Sequence, residues 1–520
     1  MVLKWTDKEA AEEMDSITDY LSACQFLIPE LWLVGAIVFA SLWNLFFPKA
    51  KELTPLVSMA GIVLAGASLW QLFPIDSVQL FGGLFTLDRL TVGFGLLTCL
   101  VGLIVILMTM GYERNLGQNR GEFYAVLLTA VLAVMLLAGS TDLVMLFVGL
   151  ETLSICCVLL AGFSKKDRRS NEASLKYLLS TAATTATFLY GLSFLYGLTG
   201  STNYYAIHEK IAGQAPSLVV VLMLVLLLSA IGFKLSAVPF HMWAPDVYEG
   251  APTPVTAFLS IGSKAGGFVV AVRLLSFVFA SASVDWSLIV GLLAILSMIL
   301  GNLIALAQSS LKRMLAYSSI AHVGYILIGL VANTADGLAA MAFYLIVYGL
   351  MNLGAFTGAI LFANETGSDR IDDYSGLLRK RPWLATGLAI CLLNLAGLPI
   401  PPAGFFAKLF VFWSGIQMYS ALGFTLVGVA LVTSVPAIYY YTRVVIKMIV
   451  REPSEMVQAL EPARRPIADS QLGPMLALAV CVAGICFGSV AVNSFMNLSL
   501  DAVKPISIQP SIGTLPLNLP

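Results

Sequence analysis

A chain of 520 residues could hold several ordinary soluble domains. Its composition excludes them: 58% of the residues are hydrophobic, 11% are charged and the mean hydropathy is +0.88, where soluble globular proteins carry roughly 25% charged residues. A net charge of −1 and a pI near 6.3 offer no basic surplus for a phosphate backbone, which argues against nucleic acid as a partner.

The first 25 residues are acidic (Asp7, Glu9, Glu12, Glu13, Asp15, Asp19), the wrong charge for the leading segment of a signal peptide. A membrane-spanning helix needs about 20 mostly apolar residues. Fourteen runs qualify, near 28–47, 54–73, 89–111, 122–138, 142–163, 174–199, 217–242, 254–279, 286–308, 312–332, 337–363, 384–414, 419–449 and 472–495. Lys and Arg in the connections set the orientation. Connections after the odd-numbered spans hold 19 of them, among them Lys49, Lys51, Arg114, Arg464 and Arg465. The opposite side, with both termini, holds six: Lys4, Lys8, Arg89, Lys210, Arg273 and Lys504. The pattern predicts an all-α polytopic membrane protein of about 14 transmembrane helices, with the odd connections cytoplasmic and both termini outside. No connection is long enough for a soluble domain.

Cofactor signatures are missing from the sequence. The seven cysteines (Cys24, Cys99, Cys156, Cys157, Cys391, Cys481, Cys486) include no C-x-x-C pair, and most lie in apolar runs, where cysteine serves as a small buried hydrophobe. Neither an iron–sulfur cluster nor structural zinc is written in them. Three histidines leave little for haem. No G-x-G-x-x-G follows a strand and no P-loop is present. The string GSKAGG at 262–267 sits inside an apolar run, where small residues serve close helix packing.

The charges inside the spans carry the functional signal. Lys176 lies near the start of the sixth span and can reach the surface. Glu151 in the fifth span, Lys234 in the seventh, Lys264 in the eighth and Lys408 in the twelfth lie well inside apolar runs. A lysine at mid-bilayer costs roughly 2.5–3.5 kcal/mol on insertion scales, so such residues usually face the protein interior and mark ion or proton pathways. Desolvation favours the neutral form of lysine, and an opposite charge favours the ionised form. A lysine whose partner approaches and retreats therefore gains and loses a proton. Sodium would want several oxygen ligands, whereas the interior offers one carboxylate, so protons fit better. His322 in the tenth span either extends a relay or is a hydrogen-bonded structural histidine. His241, near the cytoplasmic end of the seventh span, is either a proton-uptake group or an interfacial residue, and His208 is expected in a solvated external loop.

Two spans cannot be continuous helices. Pro239 follows Lys234 and frees the carbonyl of Leu235. Gly397, Pro399, Pro401, Pro402 and Gly404 precede Lys408. Broken backbone at membrane depth is tolerated only when buried in protein or lining a wet cavity. The two breaks lie five spans apart, in the seventh and twelfth, so a copy displaced by five runs through the membrane inverted, as in transporters built from inverted repeats.

The strings LFVGLETLS (146–154), KKDRRSNEASLKYLL (165–179), GFKLSAVPFHMWAPDVYEGAPTPVTAFLS (232–260), LKRMLAYSSIAHVGY (311–325) and LPIPPAGFFAKLFVFW (398–413) together resemble one family. It is the antiporter-like membrane subunits of respiratory complex I, and within it the subunit 2 group of NAD(P)H–quinone oxidoreductases of the cyanobacterial and chloroplast branch. The resemblance implies an N-terminal segment with spans 1–3 (1–121), a first antiporter-like repeat of spans 4–8 (122–279), a second, inverted repeat of spans 9–13 (286–449), and a cytoplasmic loop, last span and tail (450–520). It implies that Glu151 pairs with Lys234, that Lys264 is the central relay lysine, and that Lys408 serves the second half-channel. Other members of the wider family have glutamate at this last position; lysine favours the subunit 2 group.

The function implied is proton translocation in a photosynthetic-type complex I of the thylakoid membrane, with both termini lumenal, coupled to plastoquinone reduction in neighbouring subunits. The resemblance puts no cofactor in this chain. NAD(P)H or ferredoxin as electron donor, iron–sulfur clusters and plastoquinone belong to the complex, and its partners would be the other membrane and hydrophilic subunits and lipid. Three rivals use the same sequence features: a subunit of a multisubunit cation/proton antiporter, a solute transporter, and a structural subunit with fixed charges. A solute transporter is disfavoured because no polar substrate pocket is discernible.

Overall fold

The structure, a computed structural model, describes residues 23–47, 53–75, 77–112, 120–212, 218–280, 286–460 and 469–503. The acidic N-terminal cluster and Lys4, Lys8, Lys49, Lys51, Arg114, Arg464, Arg465 and Lys504 lie outside the described residues. The chain is an all-α membrane protein. Its main helices are α1 (Ile28–Phe46), α2 (Leu53–Leu72), α3 (Arg89–Met110), α4 (Arg120–Gly139), α5 (Leu143–Ala161), α6 (Arg168–Thr199), α7 (Leu218–Leu235) and α8 (Thr253–Ala271). They continue with α9 (Trp286–Leu306), α10 (Leu311–Ala332), α11 (Ala335–Thr366), α12 (Pro382–Ala396), α13 (Ala403–Gln417), α14 (Ala421–Val450), α15 (Asp469–Val490) and α16 (Val492–Val503). Among the described residues, 12 helices are long and apolar enough to cross a membrane, and Ile28–Trp43 and Pro382–Ala396 are shorter apolar helices.

Helix ends follow local chemistry. The Asp167 carboxylate accepts from the amide of Arg169 at the start of α6, and Gly200, at φ 63°, closes its far end. Thr334 caps α11 in the same way, and Gly367 ends it at φ 72°. Helices α9 and α10 cross on glycine: a Cβ on Gly301 would stand 2.6 Å from the amide nitrogen of Ala321. Helix α8, with the wider helical turns Val272–Val278 that continue it, is buried along its whole length, and α10 and α11 nearly so. These three form the centre. The small residues around Lys264 pack as expected, with Gly266 against Leu153. All seven cysteines are free; five are buried, and Cys24 and Cys486 are exposed.

The connections gather at two ends. After α9, α11 and α14, Leu311 donates to Asp369, Gly376 to Lys447 and Ser454 to Ser375. At the other end the strands Val78–Leu80 and Phe85–Leu87 form a small hairpin, Phe85 pairs with Ser140, and Asp142 pairs with Asn203. The hairpin is absent from the hydropathy pattern because three-residue strands joined through Phe81–Leu84 carry no periodicity of their own.

Arg273, expected in an external connection, is instead buried. Its guanidinium grips Asp88 with two bonds of 2.7 Å and also donates to Thr91 Oγ1 and the carbonyl of Ala138. Asp88 is at the same time the N-cap of α3. The pair ties α3, α4 and the end of the α8 segment together. Its partners lie 185 residues apart, so sequence spacing carries no trace of it. His208, expected in a solvated loop, lies half-buried in a short helix (Tyr204–Ala212), with Nδ1 3.3 Å from the carbonyl of Val278.

Both expected helix breaks are present. The run 217–242 does not remain helical beyond Leu235: Ser236 turns to φ 60°, the chain crosses 236–242 without α-helix, and a short helix resumes at Trp243–Gly250. The indole of Trp243 donates to the carbonyl of Phe233, and Ser297 Oγ accepts from the amide of Val238. In the second break Gly397, at φ 83°, ends α12, and α13 begins at Ala403. Its first amides are held by side chains, Ala403 by Ser489 Oγ at 3.0 Å and Gly404 by Asn394 Oδ1 at 3.1 Å. A Cβ on Gly404 would lie 2.1 Å from the carbonyl oxygen of Asn394, which no side-chain rotation relieves. Gly404→Ala is expected to destabilise the protein by about 1–3 kcal/mol, the usual cost of overpacking. Gly428→Ala, where nothing lies within 4 Å, should cost nothing. Thermal melting of the two variants checks this, and equal melting points would contradict the close approach.

Candidate functional site

All three interior lysines and His322 are buried, with 4% of Lys234, 1% of Lys264, 6% of Lys408 and 1% of His322 exposed. Each polar head has a partner, as buried polar groups must.

Lys234, in the last turn of α7, donates to Ser154 Oγ at 3.1 Å. Glu151 stands one turn away on α5, half-buried, and accepts a 2.5 Å bond from Thr185 Oγ1. The expected ion pair between Glu151 and Lys234 is therefore not closed: each group is turned to a hydroxyl. Both line one small cavity with Ser154, Thr181, Thr184 and Thr185. Its volume of about 20 Å³ is room for one water, with several polar groups in the wall to bond it. The freed acceptor beside Pro239 is not what Lys234 uses, because α7 ends at Leu235 and the ammonium turns to α5. His241 lies half-buried in the turn that follows this break.

Lys264 crosses from α8 to α10, donating to Ser319 Oγ at 2.9 Å and to the Ser319 carbonyl at 3.1 Å. Ser319, His322 and Tyr325 follow at intervals of three, so they form one stripe of α10. In the middle of that stripe His322 has Tyr344 OH 2.9 Å from Nδ1, Tyr441 OH 3.2 Å from Nε2, and Tyr348 stacked on its ring at 4.8 Å. Tyr441 is also bonded to Ser318. At the end of the stripe, Lys408 Nζ sits 5.1 Å from the centre of the Tyr325 ring. The hydroxyl of Tyr325 meets Asn302 Nδ2 at 2.9 Å and Thr433 Oγ1 at 3.3 Å, and Asn302 Oδ1 accepts from Tyr440.

Lys408 donates to the carbonyl of Ala396 at 2.9 Å. That carbonyl ends α12, so the ammonium occupies the negative end of a half-helix, where a cation is favoured. The break supplies the lysine's acceptor. Sequence reasoning singled out Lys264, His322 and Lys408 and missed the side chains set around them: Ser319, Tyr325, Asn302, Tyr344 and Tyr441. The S-x-x-H-x-x-Y spacing at 319–325 was the available signal; Asn302, Tyr344 and Tyr441 come from other helices and had none.

A charged cavity of about 290 Å³ lies among Arg169, Glu172, Lys176, Asp246, Glu249 and Arg313, just beyond the first break. Lys176 bridges Glu172 at 2.9 Å and Asp246 at 2.8 Å, and Arg313 binds Glu249 at 2.5 Å. Among the described residues no cluster of three or more His, Cys, Asp or Glu side chains converges as a metal site.

Residues 140–434 match the family described as NADH:quinone oxidoreductase/Mrp antiporter, TM. The chain is 49% identical over 460 residues to NAD(P)H-quinone oxidoreductase subunit 2 of Synechococcus sp. (strain JA-3-3Ab), covering 88% of this chain and 86% of that one. It is 44% identical over 531 aligned positions to the protein of the same name from Trichodesmium erythraeum (strain IMS101), covering 98% and 99%. Among solved structures it resembles a chain of respiratory complex I from Thermus thermophilus with bound aureothin at TM-score 0.72 and 31% identity, covering 90% of this chain and 99% of that chain. The fold is also that of a chain of the Mrp complex from Dietzia sp. DQ12-45-1b, at TM-score 0.78 and 18% identity, covering 92% and 97%. A buried row of lysines between two broken helices and the match along nearly the whole length agree: the chain belongs to the antiporter-like membrane subunits of complex I, in the NAD(P)H–quinone oxidoreductase subunit 2 family.

Proposed function

We propose that this chain moves protons across the thylakoid membrane of a photosynthetic organism, driven by plastoquinone reduction in neighbouring subunits of a photosynthetic-type complex I with ferredoxin or NAD(P)H as donor. Protons enter from the cytoplasmic face past His241, occupy Lys234, Lys264, His322 and Lys408 in turn, and leave to the lumen. Both termini are lumenal, and spans 4–8 and 9–13 are the two inverted repeats of a fourteen-helix subunit.

One observation carries the reading: the buried stripe Ser319–His322–Tyr325, with Lys264 bonded to its first residue and Lys408 against its last. Hydroxyls both donate and accept, so a row of them passes a proton without a net charge resting in the bilayer interior. The three lysines are the stations where charge does rest, each held by a hydroxyl or carbonyl. Glu151 is the adjustable neighbour. With its bond to Thr185 released it can swing toward Lys234 across their shared cavity and hold a proton there; with the bond remade it lets the proton go. Moving one proton against 100 mV costs about 2.3 kcal/mol, so the cycle needs the redox reaction to drive it.

The test acts on that neighbour. Glu151→Gln, which removes the charge and keeps the shape, should cut acidification of sealed vesicles on quinone reduction, with the complex intact on a native gel. Glu151→Asp keeps the charge, shortens the reach by one methylene, and should retain part of the activity. Equal acidification in all three proteins would remove Glu151 from the mechanism.

A further inference from the structure

An apolar cavity of about 270 Å³, separate from the lysine row, lies between the last turn of α2, the first turns of α3, the third turn of α11 and the whole of α16. Trp70, Phe94, Leu97, Leu345, Phe495 and Ala502 stand in its wall. It exceeds the roughly 150 Å³ apolar cavity that suffices for a benzene molecule, and water cannot fill it because water needs two to four polar partners. Among the described residues Ser499 Oγ is the one hydroxyl in the wall, and it has no partner there.

The cavity sits at a membrane surface. Helix α16 carries exposed Asn493 and Asn497, with Asp501 one turn further on the same stripe, while Phe495, Leu498, Ser499 and Ala502 face the cavity. An amphipathic helix of this kind lies in the interface plane. Trp70, 58% exposed at the end of α2, is where aromatic belts place tryptophan. The space therefore opens at headgroup depth and extends below it.

Arg89 gives the mouth its charge. It opens α3 four residues before Gly93, which lines the cavity, so the two share a face one turn apart. Side chains on a helix lean toward its N-terminus, which carries the guanidinium toward the surface, above the cavity. Arg89 is half-buried and, among the described residues, has neither a hydrogen bond nor an ion pair. Its neighbour Asp88 is committed to Arg273, and Asp501 on α16 has a partner of its own. A half-buried arginine without an anion beside an apolar hole matches a molecule with a phosphate at one end and hydrocarbon at the other.

We infer that this cavity binds an anionic phospholipid, its phosphate on Arg89 and one acyl chain between Phe94, Leu97 and Phe495. The bound lipid fastens α16 to α2, α3 and α11 at the end of the molecule away from the charged cavity of Arg169 and Arg313.

The purified complex, incubated with phosphatidylglycerol carrying a diazirine in one acyl chain and then illuminated, should be labelled on the peptides holding Phe94, Leu97 and Phe495. Arg89→Gln should lower that labelling about fivefold, the weight of one basic residue near an anionic surface. It should lower labelling by the matching phosphatidylcholine probe much less, because the choline cation offsets the charge of that lipid's phosphate. Ala342→Phe, which fills the cavity from α11, should abolish labelling by both. Only complex that runs intact on a native gel is scored, and Arg89→Gln, a first-turn position with no partner to lose, keeps the proposal testable if the larger side chain prevents assembly. Equal labelling of wild type and Arg89→Gln by phosphatidylglycerol would overturn the anionic site and leave a neutral lipid there. No label on these peptides would overturn the lipid site altogether.

Discussion

Asp88→Ala should destabilise the protein by about 3–5 kcal/mol, the usual result of removing one partner from a buried ion pair. The Arg273 guanidinium would remain buried with five donors and only the Ala138 carbonyl and Thr91 hydroxyl to receive them. The same change removes the N-cap of α3, which accepts from Thr91 at 2.8 Å. Asp88→Asn keeps that cap and one acceptor, so its loss should be smaller. Arg379→Ala, which breaks an exposed pair with Glu452, should change nothing measurable. The melting temperature of the assembled complex and its yield on a native gel rank the three, and an Asp88→Ala complex as stable as Arg379→Ala would contradict a structural role for the pair. The effect is expected to be on assembly rather than on proton transfer, because neither residue touches the lysine row.

Asp88 and Arg273 also show where sequence stops being informative. Helix positions were legible because hydrophobic runs of membrane length have few alternative uses, and observed helix bounds fall within a few residues of most expected ones. The breaks were legible because proline and glycine leave backbone groups that no helix can satisfy. Buried lysines were legible through their cost. Arg273 was misplaced for the converse reason: it stands near a helix end, and only its tertiary partner makes it an interior residue.

Partners were the least legible part of the site. Glu151 and Lys234 were expected to bond, and instead each holds a hydroxyl, Thr185 and Ser154, that hydropathy ranks as ordinary helix filler. Lys408 finds its acceptor in a backbone carbonyl created by the break, which a list of side chains cannot reveal. Tyrosines 325, 344 and 441 read as membrane aromatics in sequence, and only the packing of α10, α11 and α14 turns the hydroxyls of Tyr344 and Tyr441 toward His322 and sets the Tyr325 ring against Lys408.

The largest functional effect is expected at Lys408, and it separates a fixed charge from a proton carrier. Arginine stays protonated in essentially any protein environment, whereas lysine can release its proton when desolvated. The Lys408 ammonium sits against Ala396 O and the Tyr325 ring, and among the described residues no carboxylate is bonded to it. A permanent charge there would rest on one carbonyl and one aromatic face; a lysine that unloads its proton needs no more. Lys408→Arg keeps the charge and Lys408→Ala removes it, while Gly397, whose Cβ position lies 2.9 Å from Lys408 Cδ, limits the room for the larger head. The decisive measurement is acidification of sealed vesicles on quinone reduction by complexes shown intact on native gels. Lys408→Arg is expected to be impaired about as severely as Lys408→Ala. Acidification by Lys408→Arg at the wild-type rate would contradict proton release at Lys408 and leave it an electrostatic role alone.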